Sequence, residues 1–379
     1  MKKLHVLSTA LAAAAFLAGC GGSDPGDQSP RVAFKQMVNF GDSLSDVGSY
    51  DVGVVKVQGG GHFSINGQGA TGLLYTNWTE FLAATLKLPQ PCAAQTGLTP
   101  VAPFVPTVGD ETPAFHDAST GGTCTSYAQG GSRVTNPIGP GNKALLNPAD
   151  SSTYSNALGA LTIPVTTQID NYLAHNGQTF NADQLVTVFA GGNDVFINLA
   201  LVSAGQLSPT AAVTAMGTAG AELAAYVNQK ILAKGATHVV VVNLPDVSIT
   251  PLALGQSAQV QGLIKTMTTT FNSQLQAGLT ASPTLVVVDA FAASEDQAAN
   301  KAQYGLADVS TPACDLTKVN SSLLCTKATL IAAAAPAASG AIASNANTYE
   351  YADTVHPTPY GYRLLAELVG EKLAVKGWL

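Results

Sequence analysis

The sequence predicts an α/β domain built on a largely parallel sheet, and three observations carry that expectation. Short apolar, β-branched runs at 36–40, 185–189, 238–242 and 285–288 alternate with stretches of helical periodicity. Each run ends in a cluster of Gly, Asn or Asp, and open α/β sheets bind ligands beyond the carboxyl ends of their strands. Between the second and third runs, Ser208 suits a helix N-cap and Pro209 the first helical position. Val213, Met216, Leu223, Val227 and Ile231 then recur at helical spacing until Gly235, which completes a βαβ unit.

The 379 residues hold no internal repeat; 46% are hydrophobic and only 11% charged, so a sizeable core forms beneath a surface of Ser, Thr, Asn, Gln and Gly. That balance fits a secreted globular protein. The net charge of -7, with no Lys/Arg cluster beyond the first three residues, leaves no electrostatic footprint for nucleic acid or anionic lipid.

Lys2 and Lys3, an apolar run over 4–17, and small residues before Cys20 read as an export signal, too short to span a bilayer. Leu17-Ala18-Gly19-Cys20 resembles a bacterial lipobox, which implies cleavage before Cys20 and acylation of its thiol. Gly21 and Gly22 lack the aspartate that retains related lipoproteins at the inner membrane, so an outer-membrane or cell-surface anchor is expected, with a periplasmic or secreted form as the alternative. Residues 21–34, rich in Gly, Ser, Asp and Pro, read as a tether, leaving 35–379 as one domain.

Cys92, Cys124, Cys314 and Cys325 are an even set in an oxidising compartment. The short separation of Cys314 and Cys325 favours a local bridge, which leaves Cys92 with Cys124. No CxxC or HxxxH spacing accompanies them, so no metal is expected. His62, His116, His175 and His238 are scattered and read as surface or satisfied core residues. The stretch 53–147, rich in Gly, Pro, Thr and Asn with only 76–88 patterned as a helix, reads as an irregular insertion that shapes a pocket, or as padding. The Ala-rich 331–344 stretch suggests no role.

Four clusters bear chemistry. Phe40-Gly41-Asp42-Ser43-Leu44-Ser45-Asp46 follows the first strand, and a serine at such a turn projects its hydroxyl and its own N–H into the crevice. Taken alone, Gly-Asp-Ser is an ordinary capped turn. Near the C-terminus, Asp353-Thr354-Val355-His356-Pro357 precedes a helix begun by Thr358 and Pro359 and carrying Leu364, Leu365, Leu368 and Leu373. Pro357 holds His356 extended, and Asp353 is near enough to fold back and fix the imidazole's tautomer. A bland loop histidine is the rival reading. In Gly191-Gly192-Asn193-Asp194 the amide of Asn193 is a candidate oxyanion donor, and in Tyr127-Ala128-Gln129-Gly130-Gly131-Ser132 a glycine N–H is another. Asp46 and Asp194 read as loop-holding residues, and Trp78 as core.

Together the clusters resemble the GDSL, or SGNH, hydrolase family, whose four blocks supply a serine, a glycine, an asparagine and a C-terminal aspartate and histidine three apart. Asn77-Trp78, Asn243-Leu244-Pro245, Phe271-Asn272 and Tyr304-Gly305 echo it. The resemblance implies a flavodoxin-like three-layer α/β/α sandwich with a mainly parallel sheet, and cofactor-free ester hydrolysis. It assigns Ser43 as nucleophile, Asp353 and His356 as its base pair, and Asn193 with Gly131 as oxyanion donors, Gly130 being the alternative glycine. An acetyl esterase on polysaccharide or peptidoglycan, and a non-catalytic lipoprotein binding sugar or lipid, are the alternatives. Acyl chain length, alcohol portion and oligomeric state are not legible.

Overall fold

Four strands, β1 (Gln36–Gly41), β2 (Gln184–Phe189), β3 (Val239–Val242) and β4 (Leu285–Val288), lie side by side in that order and run parallel. A computed structural model describes residues 32–67, 73–97, 114–140, 162–334 and 345–379. The export signal, Cys20 and nearly all of the tether lie outside the described residues, as do parts of 53–147 and 331–344. All four strands are almost wholly buried, as their β-branched composition requires when helices cover both faces.

The helices fall into two groups. On one face α2 (Val165–His175), α3 (Gly192–Ser203), α4 (Pro209–Tyr226) and α5 (Ala258–Gly278) pack together, with α4 against α5 as the main contact. On the other, α1 (Trp78–Thr85) packs on α7 (Pro359–Lys376), which also touches β4; α6 (Ala290–Ala299) follows β4 directly. The chain is thus a three-layer α/β/α sandwich.

Local chemistry sets the helix ends. Ser208, Ser257 and Thr358 each accept a backbone N–H through their side chains, and Pro209 and Pro359 occupy first positions where no N–H is needed. The helix expected over 76–88 is shorter, because Asn77 and Glu80 close a capping box that starts it at Trp78. The pattern expected to run to Gly235 leaves α-helical geometry after Tyr226, passing through a π turn, Val227–Ile231, and a 3₁₀ turn, Leu232–Lys234, before Gly235 stops it with φ +92°.

One segment of the expected insertion belongs to the sheet. Residues 125–129 run parallel beside β1: Asn39 donates its N–H to Thr125, Tyr127 to Asn39 and Gln129 to Gly41. A disulfide, Cys92–Cys124, fixes the start of this segment, and Ser126 donates its N–H to the Cys92 carbonyl. The fifth position of the sheet escapes sequence periodicity because its residues are Thr, Ser, Tyr, Ala and Gln.

A second, smaller core gathers Ile65, Cys314, Cys325, Leu330, Tyr349 and Ala352 around the other disulfide, Cys314–Cys325. Through Ala313 and Cys314, whose N–H groups donate to Tyr351 and Ala352, it grips the chain just before Asp353. The register pairs Gly41, Phe189, Val242 and Val288, so the four strands end level along one rim.

At that rim Gly191, with φ +117°, caps α3, and a Cβ there meets the buried Phe271 ring at 2.4 Å. Gly191→Ala is expected to cost at least about 2 kcal/mol of stability, read as a lowered urea midpoint. An unchanged midpoint contradicts this packing of α3 on α5.

Candidate active site

Ser43 lies two residues beyond β1, on a turn fastened from several sides. Gln168 of α2 accepts the Gly41 N–H at 2.9 Å and donates to the Gly41 carbonyl at 2.8 Å. Gly41 has no alternative, since a Cβ there meets the Phe189 carbonyl oxygen at 2.3 Å. On the far side, Asn77 donates to the Leu44 carbonyl and the Trp78 indole N–H to Ser45 Oγ. Asp46 accepts the N–H groups of Gly48, Ser49 and Gly130 and the Ser49 hydroxyl, tying this turn to the glycine cluster.

His356 arrives from the other end of the chain on a tight hairpin. Ala352 donates its N–H to the His356 carbonyl, and Thr358, at the base, donates to Glu350. Its Nε2 is 2.9 Å from Ser43 Oγ, and its Nδ1 is 2.8 and 2.9 Å from the two oxygens of Asp353. Asp353 also accepts the N–H groups of Val355, His356 and Ser322. Burial alone would raise its pKa. The positive charge of His356 and hydrogen bonds from His356, Ser322 and Val355 outweigh burial and hold the carboxyl well below the usual range. The Phe63 ring lies against the imidazole, with centroids 5.0 Å apart.

The remaining sequence-predicted residues border the same cleft. Asn193, at the start of α3, donates one amide hydrogen to the Ser132 carbonyl at 2.9 Å, which fixes the side chain; its second hydrogen meets no acceptor among the described residues. Asp194 accepts from Arg133 Nε and the Val134 N–H, linking α3 to the chain beyond the glycines. Gly130 has given its N–H to Asp46, and its carbonyl accepts the Tyr50 hydroxyl. The N–H groups of Ser43 and Gly131 engage no acceptor among the described residues, and Gly131 has φ +85°.

Ser43, Gly131, Asn193 and His356 line one cleft of about 530 Å³, with walls that include Val55, Phe63, Phe196, Leu252 and Leu323. Of the histidines expected to be bystanders, His62 bonds Thr76, His116 bonds Thr96, His175 pairs with Asp117, and His238 lies between the Phe34 and Trp378 rings. Sequence reasoning missed Gln168, Phe63 and Ser322, each of which acts on the site from a segment with no motif of its own.

Asp42 lies beside the serine, almost fully buried. Burial pushes its pKa up to about 7, which the Leu44 N–H and the charge of His356 offset only in part. In the unfolded chain the same group loses its proton near pH 4, at about 3.9. Raising pH from about 4 to about 7 therefore favours the unfolded chain. Asp42→Asn is expected to raise the urea midpoint clearly at about pH 8 and little at about pH 4; an equal gain at both contradicts the assignment.

A family model described as GDSL-like Lipase/Acylhydrolase matches residues 37–369. No curated protein matches the chain. Among solved structures, the crystal structure of a member of the lipolytic protein G-D-S-L family from Veillonella parvula is similar at 14% identity, covering 90% of this chain and 98% of that chain, with a TM-score of 0.37. The family match spans the strands, the serine turn and the histidine hairpin alike: this chain belongs to the GDSL-like lipase/acylhydrolase family and is a carboxylic ester hydrolase.

Proposed function

We propose that the protein is a serine esterase of lipase type that works through an acyl-enzyme on Ser43. The contact that carries this reading is the imidazole of His356, within hydrogen-bond reach of Ser43 Oγ on one side and of Asp353 on the other. Ser43 Oγ attacks the ester carbonyl as His356 Nε2 takes its proton, and Asp353 stabilises the imidazolium. The oxyanion is held by the N–H groups of Ser43 and Gly131 and the free amide hydrogen of Asn193. As the tetrahedral intermediate collapses, the C–O bond to the alcohol breaks and His356 returns the proton to it. Water, deprotonated by the same nitrogen, then attacks the acyl-enzyme, and Ser43 is released with its hydrogen restored.

The cleft's walls are mainly apolar, with Asn320 and Ser321 among the polar members, and that balance favours lipid-like esters over acetylated polysaccharide. Two disulfides and the lipobox support export and an anchor through Cys20 in the outer membrane or at the cell surface.

Ser43→Ala is expected to abolish hydrolysis of p-nitrophenyl butanoate with an unchanged urea midpoint, and Asn193→Ala to lower kcat about a hundredfold or more. Wild-type turnover in the serine variant would overturn the reading. A sharp preference for acetyl over longer acyl groups would favour the polysaccharide alternative. In cells fed a labelled fatty acid the wild type is expected to carry the label and Cys20→Ala none; an unlabelled wild type counts against the anchor.

A further inference from the structure

A second cavity lies behind the histidine hairpin. Its walls include Leu44, Phe189, Ala290, Ala293, Leu365 and Leu368, and its free volume is about 80 Å³. Four residues, Leu44, Pro245, Thr250 and Val355, line both this cavity and a smaller recess of about 40 Å³ that touches Ser43, Asn193 and His356. The two are therefore adjoining chambers on either side of these four residues, the smaller one beside the serine hydroxyl.

The lining is mainly apolar, with Thr250, Ser294, Gln297 and Tyr351 among its polar members and one carboxyl. Glu350 lines the second cavity, and its Oε2 is fully shielded with no hydrogen-bond partner among the described residues. No cation pairs with it among the described residues: Arg363 of α7 is paired with Glu367 and lies over the Tyr360 ring. Room for the carboxyl exists because residue 361 is glycine, where a Cβ would stand 2.8 Å from Oε1. Burial pushes the Glu350 pKa up to about 7. A buried polar atom without a protein partner calls for water or a ligand to complete it.

The two limbs of an ester place different demands on the site. The acyl limb stays bonded to the serine while the alcohol departs, so a narrow chamber suits the acyl limb and the wide cleft of about 530 Å³ suits the alcohol. We propose that the acyl chain passes between Leu44, Pro245, Thr250 and Val355 into the second cavity and that Glu350 hydrogen-bonds a hydroxyl near its far end, making esters of hydroxylated aliphatic acids the preferred substrates. This rests on the hydrolase reading above and adds the substrate class to it. A hydroxyl suits the site better than an ammonium because a full charge is far costlier to carry through apolar walls, and a carboxyl that keeps its proton near neutral pH both donates to and accepts from a hydroxyl.

The test is kcat/KM for p-nitrophenyl butanoate, hexanoate, octanoate and decanoate, and for their ω-hydroxy and ω-amino counterparts, with the wild type, Glu350→Gln and Glu350→Leu. At the chain length that reaches Glu350, the wild type is expected to favour the ω-hydroxy ester over the plain one by about tenfold, the worth of one buried hydrogen bond. Glu350→Gln is expected to keep part of that preference and Glu350→Leu to reverse it, while all three proteins hydrolyse butanoate alike. No hydroxyl preference at any length in the wild type overturns the proposal and leaves a pocket that holds water only. A preference that survives in Glu350→Leu, or one for the amine, overturns it as well. Failure of the wild type to hydrolyse butanoate would instead remove the hydrolase reading on which the proposal stands.

Discussion

The hydrogen bond between His356 and Ser43 joins residues 313 positions apart, and much of the architecture serves to keep that contact at 2.9 Å. Two supports meet there. The serine turn is held by the large core through β1, with Gln168, Asn77 and Asp46 fastening it to α2, α1 and the glycine cluster. The histidine hairpin is held by the smaller core and its Cys314–Cys325 bridge, with Ser322 and α7 behind it. The segment leading into Ile65 of the smaller core braces the hairpin directly: Ser64 donates to the Pro357 carbonyl, and Tyr362 of α7 donates to the Phe63 carbonyl.

Two carboxyls near the imidazole meet burial in opposite ways. Asp353 receives three backbone N–H groups besides the imidazole and remains ionised, as orienting His356 requires. Asp42 receives one, from Leu44, and burial dominates. The negative charge of Asp353 favours the imidazolium that forms as the serine proton moves. Asp46 and Asp194, by contrast, each join two loops, so a chain with few charged residues places several of them inside as fasteners.

The parts legible in the sequence are those with local causes. Strands β2 to β4 announce themselves as β-branched runs because they are buried on both faces, and α4 and α7 because Ser208-Pro209 and Thr358-Pro359 satisfy helix starts within a few residues. The Ser43 and Asn193 clusters stand out because the turns after strands demand Gly, Asn and Asp, and the Asp353–His356 pair because Pro357 and a helix start follow it. What was not legible depends on contacts across the chain. Residues 125–129 join the sheet without a strand-like composition, and the second core is assembled from Ile65 together with residues beyond 312. Ser322 gives Asp353 a backbone N–H, which any residue type supplies, and Phe63 contributes a ring that reads as ordinary core. Glu350 looks like one more surface acid until the Gly361 turn and the cavity wall enclose it.

The most direct measurement of the convergence is covalent: react the folded protein with a fluorophosphonate, digest it and locate the adduct by mass spectrometry. An activated hydroxyl in contact with the imidazole predicts one phosphonylated residue, Ser43, with labelling lost when His356 is replaced by alanine. Labelling at another serine, or labelling of Ser43 that is indifferent to His356, would contradict the account.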